Sequence, residues 1–494
     1  MAKKKSRRDA TEPAAAQPRK PAKTRKRKRG ANAAASCDSG LCDDVMPNIF
    51  VRLPARTLVA SMALSKHHRR MILCPEFRSL HCRLGPPLPQ LHIAYIAMAN
   101  IRRRGKQKDP ISGFHGFHVA GVGLNNNAPM RSLASGPKYL DMRYVNTCNG
   151  VVLLAGKPGT TTCVLWNPAV ADEAKEVTVP VSVNDDCVIL GLGCGRRSQS
   201  YKLLVSRRQK RSEWLHRRPP ITRWPKQLLV YGGLGGGTER PPVLRTVLSA
   251  GVDGEISRRS LHINGVIYLL HVKMSAILAF DVDDETVTTI ESPSVHVMSN
   301  QTQWAFHGCE VEMVTTVDNL SQSMCTLMEI SGRPCVETYN GKSRTLWLLT
   351  EDHKWEQRCV IKDPCLFYHD FSRCSIAGVW DCGGVLFLYL HHSAAHHDHW
   401  LYTVDNDSST RVLETNLPRH MTPEWSDYAF CWGYKPTLLS PGSIVGKQDE
   451  DSRRTEVLKP VNERERRKWL GATLDTARFM EFLVGIMQNA ERDD

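Results

Sequence analysis

A recurring alternation of apolar strands and polar turns organises the middle of the chain. Each copy begins with an apolar strand opened by a glycine, continues with a second strand that contains an aromatic residue, and ends in a polar turn. The copies are CNGVVLLAG (148–156) with CVLWNPAVADEAKEVTVP (163–180), INGVIYLL (263–270) with ILAFDVDDETVTTIESP (277–293), ISGRPCVETY (330–339) with TLWLLTEDHKWEQRCVI (345–361), and DCGGVLFLYL (381–390) with WLYTVDNDSSTRVLETNLP (400–418). Short apolar runs bounded by turn residues predict β-strands.

The spacing of these copies predicts a repeat architecture. Their opening glycines are Gly150, Gly265, Gly332 and Gly384, separated by steps of 115, 67 and 52 residues. The longest step has room for one divergent copy, with the strands VILGLG (188–193), YKLLV (201–205) and QLLVY (227–231). Colinear β modules of similar length are typical of propeller blades, which stack to bury both faces. We expect five or six blades over residues 110–445, with a large β-sandwich as the alternative.

A different periodicity marks residues 41–84, where apolar positions recur at helical spacing. Ile49, Phe50 and Leu53 lie on one face of a predicted helix. Pro54 breaks this helix and can open the next one, because proline is tolerated in the first turn of a helix but not in its interior. The pattern therefore predicts a small helical module ahead of the β repeats.

The rest of this segment supplies two further helices. Leu58 and Met62 lie one turn apart on the second helix, and Ser65 can cap a third helix that Pro75 ends. Three helices in so short a segment bury their own apolar faces poorly. The surplus apolar surface should therefore meet a partner or the next domain.

Less regular segments flank these regions. Residues 85–109 begin with GPPLP, and we interpret them as a linker because proline-rich chain is a semi-rigid spacer. Residues 446–494 begin as a charged linker and continue as a C-terminal helix with an apolar stripe. We expect the stripe to pack on the domain's own surface, with a separate partner site as the alternative.

Positive charge is concentrated in the N-terminal tail. The chain has 494 residues and a formal net charge of +16, and residues 1–40 hold thirteen Lys and Arg against three acidic residues. A tail of this kind is usually solvated and disordered. Two clusters in it are nuclear-localisation candidates: Lys3, Lys4, Lys5, Arg25, Lys26, Arg27, Lys28 and Arg29. A nonspecific polyanion-binding tail is the alternative.

The composition also bears on the compartment. No apolar run is long enough to span a membrane, and the N-terminus has charge but no apolar segment of a secretory signal. The 16 cysteines are scattered without CxxC pairs, which favours reduced, buried thiols. We therefore expect an intracellular protein, in the nucleus, the cytoplasm or both.

Catalytic motifs are missing from the sequence. It contains no GxSxG nucleophile elbow and no HExxH, and the glycine run at 231–237 lacks the Gly-Lys-Ser/Thr that binds phosphate. Five histidines lie between His391 and His399, and His392 and His396 could share a metal if the stretch were helical. A solvated hairpin loop is the plainer interpretation, so we expect no metal and no cofactor.

A basic, aromatic segment at residues 207–226 is the other candidate site. It holds eight Lys and Arg, one Glu and two Trp. Cations that contact phosphates and rings that stack on bases suit single-stranded nucleic acid. The alternative is an exposed loop between two strands, which its two adjacent prolines favour.

The helical segment resembles an F-box. The match runs in order through LCDD (41–44), RLP (52–54), SK (65–66), PEF (75–77) and LH (80–81), with Asp43 and Asp44 as caps of the first helix. Two positions depart from the family pattern. Cys42 replaces a proline, and His68 replaces a tryptophan of the third helix. Because that tryptophan is a core anchor, His68 bears on how tightly such a module docks.

The β repeats resemble the F-box-associated, kelch-like domain of plant F-box proteins. The matching pieces are CNG (148–150), LWNPA (165–169), GLG and YKLL (191–204), NGVIYLL (264–270), ILAFDVDDET (277–286), TLWLL (345–349) and GYKPTLLSP (433–441). We expect an α+β multidomain protein: a tail at 1–40, an F-box at 41–84, a linker at 85–109, a propeller at 110–445, and a charged linker and helix at 446–494.

The resemblance implies a non-catalytic substrate-recognition adaptor of an SCF-type (cullin) E3 ubiquitin ligase. In that family the F-box binds a Skp-family linker protein, the linker binds a cullin scaffold, and the second domain holds the target. By family position the linker-binding residues are Leu41, Val45, Ile49, Leu53, Pro54, Leu58 and Met62. The competing class is a nucleic-acid-binding protein that uses the basic tail and residues 207–226. A propeller enzyme would need a pocket of converging carboxylates or histidines.

Overall fold

We analysed a computed structural model of the chain. It describes residues 45–86, 92–101, 111–121, 142–156, 159–170, 174–181, 186–208, 226–234, 243–252, 256–271, 276–293, 327–339, 343–362, 374–382, 385–392, 399–404, 410–411, 423, 428–445 and 463–492. Two compact units share the chain, residues 1–46 and residues 47–494. Of the first unit, the structure describes Val45 and Met46. No described helix is long and apolar enough to cross a membrane.

The N-terminal part of the described chain is helical. It contains α1 (Val45–Phe50), α2 (Ala55–Ser61), α3 (Lys66–Leu73) and α4 (Pro75–Leu84). The sequence predicts three helices here, and the structure has four. Pro75 does not end the helical region but lies at the first position of α4, where its missing N–H costs little.

The rest of the described chain is mostly β-structure and forms a six-bladed propeller. Blade 1 is the three-stranded sheet β2-β1-β23, and blades 2 to 6 each contain four consecutive antiparallel strands. The strands of blades 2 and 3 are β3 (Arg143–Cys148), β4 (Val151–Ala155), β5 (Thr162–Trp166), β6 (Lys175–Thr178), β7 (Asp186–Cys194), β8 (Tyr201–Arg208), β9 (Lys226–Leu234) and β10 (Val243–Val252).

The other three four-stranded blades follow the same order. Their strands are β11 (Ile256–Ile263), β12 (Val266–His271), β13 (Ala276–Asp281), β14 (Thr286–Glu291), β15 (Leu327–Ile330), β16 (Arg333–Tyr339), β17 (Ser343–Leu349), β18 (Trp355–Lys362), β19 (Cys374–Cys382), β20 (Val385–His392), β21 (His399–Val404) and β22 (Thr410–Arg411). This arrangement confirms the predicted propeller over the β-sandwich, and the divergent copy predicted at 188–231 is blade 3.

Blade 1 closes the ring by joining the two ends of the β region. Its strands are β1 (Ile93–Ile101), β2 (Ile111–Ala120) and β23 (Tyr428–Phe430), and β1 pairs with both others. The strand β1 begins inside residues 85–109, which the sequence analysis interprets as a linker. The difference arises because its partner β23 lies at the far end of the propeller sequence, beyond any local pattern.

Tight turns explain why the opening glycines recur. Asn149–Gly150 and Asn264–Gly265 each connect two antiparallel strands, and both residues of each pair have positive φ, 49° and 78° in the first and 50° and 87° in the second. A two-residue hairpin of this type matches the natural twist of the strands and favours Asn-Gly. Ser331–Gly332 repeats it with φ of 50° and 75°.

The antiparallel order of each blade defines two faces of the propeller. The inner strands of blades 2 to 6 are β3, β7, β11, β15 and β19; β11 contacts β3, β7 and β15, and β15 contacts β19. We call the end where the inner strands finish the turn face, marked by Cys148, Ile263, Ile330 and Phe430. We call the opposite end, where they begin, the loop face.

Two further helices complete the described structure, α5 (Pro441–Val445) and α6 (Glu463–Arg492). On α6, Phe479, Met480 and Leu483 are fully buried and pack in one cluster with Tyr95 of β1 and Tyr389 of β20. The carboxylate of Glu481 also accepts the backbone N–H of Gly121 at 3.2 Å. The apolar stripe of the C-terminal helix therefore packs on the propeller itself, as the sequence predicts.

Candidate functional site

Residues 47–86, which we call the helical unit, have a small core of their own. Phe50, Leu58, Ile72 and Phe77 are buried in it. His81 is also buried, and its Nε2 lies 3.0 Å from the carbonyl oxygen of Leu53. Burial lowers the pKa of His81 below its usual 6.5, because desolvation disfavours the imidazolium. The imidazole thus holds α4 against the segment that joins α1 and α2.

The third helix begins at the predicted cap. The Ser65 hydroxyl accepts the backbone N–H of His68 at 3.1 Å, which satisfies one of the free amides of the first turn. The ring of His68 packs against Phe50, with centroids 4.9 Å apart. Its Nδ1 is buried, and among the described residues no hydrogen-bond partner faces it. His68 therefore packs its ring on Phe50 while one buried ring nitrogen has no hydrogen-bond partner among the described residues.

Exposed apolar side chains are concentrated on the helical unit. Ile49 is 43% exposed, Leu64 77%, Leu73 40% and Leu84 58%. In the part of the chain that the structure describes, the other large apolar side chains this exposed are Val45 and Val243. Surface leucines at this density in one small module are typical of a site that a partner covers.

The predicted linker-binding residues differ in their exposure. Ile49 and Pro54 are exposed, and Leu53 and Met62 are half-buried. Val45 is exposed and belongs to the other compact unit, and Leu41 lies outside the described residues.

Leu58 differs from the prediction, because it is 0% exposed and part of the core. A partner cannot contact it in this structure. Helical spacing alone identifies an apolar face without saying whether that face meets a partner or the module's own core. Leu58 is therefore a structural residue of α2.

The charged side chains exposed on the helical unit are mostly basic. Exposed basic side chains on the helical unit are Arg52, Lys66, Arg69, Arg70 and Arg83, whereas Glu76 is the acidic residue within 47–86. The described surface of the helical unit therefore combines exposed apolar side chains with an excess of basic ones. Such a surface is complementary to an acidic partner.

A lysine that the sequence analysis did not single out joins the helical unit to the propeller. The ammonium group of Lys435 lies 3.3 Å from the carbonyl oxygen of Cys82 and 3.4 Å from that of Arg83, at the C-terminal end of α4. The last carbonyls of a helix lack partners within it and carry its negative dipole end. Lys435 thus caps α4 from the propeller.

The chain around Lys435 is itself tied to blade 2. The Thr437 hydroxyl donates to the carbonyl oxygen of Asn149 at 2.6 Å. The Asn167 amide donates to the carbonyl oxygens of Thr437 at 3.0 Å and Leu439 at 2.8 Å. Three of the motif pieces, CNG, LWNPA and GYKPTLLSP, therefore meet at one place and build the seat of α4 on the turn face.

Gly150 is required in this seat for a steric reason. A Cβ on Gly150 would lie 2.6 Å from the carbonyl oxygen of Lys435, and its φ is +78°. Both the approach of the Lys435 backbone and the left-handed conformation favour glycine. The CNG piece could have signalled a close contact, but its partner at Lys435 is too distant in sequence to be predicted.

The remaining sequence candidates lie mainly outside the described residues. These are the basic tail with all its nuclear-localisation candidates, most of residues 207–226, and His396 and His397. Within the described residues, no group of three or more His, Cys, Asp and Glu side chains could hold a metal ion. Ten cysteines are described as free thiols and eight of them are buried, which agrees with the predicted thiols.

Comparisons with known proteins give structural matches alone. No protein-family model and no curated protein matches the chain. The solved structures that match include a puromycin-hydrolyzing peptidase from Mycobacterium tuberculosis, at 12% identity and a TM-score of 0.32, covering 65% of this chain and 45% of that chain. They also include the β-propeller domain of Cps50 (Swd1) from Myceliophteria thermophila, at 12% identity and a TM-score of 0.33, covering 64% of this chain and 86% of that chain.

This chain spans less than half the length of two of the enzymes that it matches. The match covers 45% of the peptidase, and likewise 45% of a post-proline cleaving enzyme from Rickettsia typhi at 10% identity and a TM-score of 0.33. Scores at this level carry no argument about activity. The assignment of six blades follows from the order of the strands in this chain's own sheets.

Proposed function

We propose that this chain is a substrate-recognition adaptor of an SCF-type ubiquitin ligase, with no bond-making chemistry of its own. The helical unit, together with residues 41–46, would be an F-box that binds a Skp-family linker protein, and the linker would bind a cullin scaffold. The propeller would hold the target protein. The observation that carries this proposal is the concentration of exposed apolar side chains on a helical module anchored to a propeller by Lys435.

The docking energy would come from a few apolar anchors. Ile49 is exposed, and Leu53 and Met62 are half-buried and available for further burial. Burying an apolar side chain of this size contributes about 1.5–3 kcal/mol, so a few anchors dominate such an interface. The exposed basic side chains would steer an acidic linker surface toward the helices and fix its orientation.

The anchor at Lys435 gives the adaptor a mechanical role. Since α4 is capped by a residue of the propeller, the linker and the target would be held at a fixed separation. Holding a target lysine near a ubiquitin thioester raises its effective concentration, which is how a non-catalytic subunit accelerates a transfer.

The target would bind at the loop face. The helical unit is attached at the turn face, so the loop face is the opposite end of the propeller. The described ends of β8 and β14 and the starts of β9 and β15 lie at this face, and in sequence 17 residues separate β8 from β9 and 35 separate β14 from β15. Long loops on a rigid scaffold commonly carry recognition.

Co-purification of the full chain with a Skp-family linker protein tests this proposal. Ile49→Asp and Leu53→Asp should each abolish retention of the linker, because a buried unpaired carboxylate is costly. Val243→Asp is the matched control, since Val243 is exposed on β10 of blade 3, outside the helical unit. Equal linker retention by all three variants, or no retention by the wild type, would refute the adaptor function.

Nucleic-acid binding is the competing proposal for the basic segments, and nuclear targeting is a proposal for the same tail. Phosphate contacts make affinity fall steeply with salt. Removal of residues 1–40 together with neutralisation of the basic side chains in 207–226 should abolish retention on single-stranded nucleic acid. Retention that survives both changes would show that neither segment is the site.

A further inference from the structure

A second group of side chains lies at the turn face, where the inner strands of blades 5 and 6 meet the segment that follows β23. Trp380 is on β19, and Trp432 follows β23. Their ring centroids are 6.1 Å apart with the planes tilted by 40°, and both side chains are half-buried. Trp432 also packs against the apolar clusters on both sides of blade 5, so its ring lies near the centre of the ring of inner strands.

A carboxylate lies against the residue that follows Trp432. Glu329 is on β15, and its Oε2 would be 2.5 Å from a Cβ placed on Gly433, the neighbour of Trp432. Gly433 has φ of +64°, so the backbone conformation and the carboxylate both favour glycine. Glu329 is half-buried, and burial raises its pKa to about 7. Within the described residues, no Lys, Arg or His forms an ion pair with it.

A hydrogen bond connects blades 5 and 6 at the same end of the propeller. The Ser331 hydroxyl donates to Oδ2 of Asp381 at 3.0 Å, which links the β15–β16 turn to the end of β19. Asp381 follows Trp380 on β19, and Ser331 lies in the turn that comes directly after β15, two residues beyond Glu329. These three contacts and the chain itself connect six residues, which we call the turn-face ring: Trp380, Trp432, Gly433, Glu329, Ser331 and Asp381.

We propose that the turn-face ring binds an organic cation of the alkylammonium type. Two indole faces attract a cation through their quadrupoles, and the effect is larger where water is partly excluded. Glu329, which lies against the chain neighbour of Trp432, and Asp381, the chain neighbour of Trp380, supply negative charge at this end of the propeller. A bound cation would also offset the desolvation of Glu329, which is costly for a half-buried carboxylate left without a counter-charge.

The geometry favours a compact ammonium over a guanidinium. The Glu329 carboxylate already accepts the backbone N–H of Gly332, so part of its hydrogen-bonding capacity is used within the chain. Arginine-type ligands gain most from bidentate pairing, whereas an ammonium acts as a point charge. This inference is independent of linker docking, because Glu329, Trp380 and Trp432 belong to the propeller.

Choline and its neutral isostere 3,3-dimethyl-1-butanol have matched shapes and differ in charge, so together they test the proposal on the full chain. Binding is measured by saturation-transfer NMR and calorimetry at constant ionic strength. Choline should bind at least about tenfold more tightly than the alcohol, since only the cation gains from the indole faces. Glu329→Gln and Trp432→Phe should each weaken choline binding about tenfold. Glu351→Gln is the control, because Glu351 is exposed in the β17–β18 turn of the same blade.

A peptide that carries trimethyllysine separates the two sources of such a cation. Tighter binding of the peptide than of choline would identify a protein partner, and equal binding would identify a free small molecule; either result supports the site. Equal affinity for choline and the alcohol, or no effect of Glu329→Gln in a variant with unchanged thermal unfolding, would overturn the proposal.

Discussion

His81 lies 28 residues beyond Leu53 in sequence, and its Nε2 is 3.0 Å from the Leu53 carbonyl oxygen. The imidazole is fully buried, and its pKa is lowered first by desolvation and further by the nearby charge of Lys435. Lys435 is the residue that caps α4 from the propeller. The same small region thus couples the core of the helical unit, its attachment and a titratable group.

The stability of the chain should depend on the protonation of His81. In the unfolded chain the imidazole takes up a proton near pH 6.5, whereas in the folded state its pKa is lower. The unfolded state therefore binds more protons at acid pH, and stability is lost as pH falls below 6.5 toward the folded pKa. His81→Gln keeps a donor near the Nε2 position and removes the titration. The midpoint temperature of its thermal unfolding should fall less than that of the wild type between pH 7 and pH 5.

His262 supplies the background against which this change is measured. Its Nε2 lies 3.2 Å from both the backbone nitrogen and the carbonyl oxygen of Cys194, and burial lowers its pKa to about 4. It therefore contributes acid sensitivity between pH 6.5 and about 4 in wild type and His81→Gln alike. Identical pH slopes for the two proteins would contradict a role for His81.

His68 should be a position where an apolar ring improves the module. Its Nδ1 is buried without a described partner, and its ring already packs on Phe50. Replacing it by Phe or Trp removes an unsatisfied polar atom, which costs about 1–3 kcal/mol when buried. We expect His68→Phe to raise the unfolding free energy and His68→Trp to tighten linker binding.

His67→Phe is the matched control for this position. His67 is the neighbouring residue of α3 and is exposed, so the same substitution there should leave stability nearly unchanged. A linker affinity that stays the same or weakens in His68→Trp would show that the core has been repacked around the histidine.

Local signals in the sequence predicted most of the propeller. They did not predict contacts between residues that are far apart in the chain. The Asn-Gly turns at 149–150 and 264–265 fix positive φ at both residues, so each hairpin is encoded in a few neighbouring residues. The pairing of β1 with β23 and the contact of Lys435 with α4 join residues more than 300 positions apart. No periodicity reports such contacts. Leu58 shows another limit of prediction from sequence, because an amphipathic helix pattern does not reveal whether its apolar face meets a partner or the module's own core.

The C-terminal helix should contribute to the stability of the propeller. Phe479 is fully buried between α6 and the strands of blades 1 and 6. Phe479→Ala should lower the free energy of unfolding by about 3–5 kcal/mol, through lost burial and the cavity left behind. Chemical denaturation of the full chain measures the change.

Arg478 offers an adjacent control on the same helix. Its side chain is exposed and pairs with Asp475 at 3.2 Å, and exposed pairs of this kind contribute about 0–1 kcal/mol. Arg478→Ala should therefore be nearly neutral. Equal effects of Arg478→Ala and Phe479→Ala would mean that α6 is not packed on blade 1 in solution.

Glu337 and Arg344 form a buried ion pair within blade 5 that also reaches blade 6. Both side chains are buried, and the second oxygen of Glu337 accepts the backbone N–H of Ile376 on β19 at 3.1 Å. Glu337→Ala would leave the Arg344 charge buried without its carboxylate, so it should destabilise the chain by about 3–5 kcal/mol. The double variant Glu337→Leu with Arg344→Met should recover much of this loss, because it removes both charges at similar volume.

An exposed ion pair on the same blade is the control for the buried pair. Arg333 and Glu356 are 2.8 Å apart, and their side chains are 34% and 60% exposed. Glu356→Ala should cost less than about 1 kcal/mol, because solvent screens the pair. Equilibrium unfolding of the four proteins distinguishes the cases. A double variant as unstable as Glu337→Ala would show that the hydrogen bond to Ile376, rather than the unpaired charge of Arg344, dominates at this junction between blades.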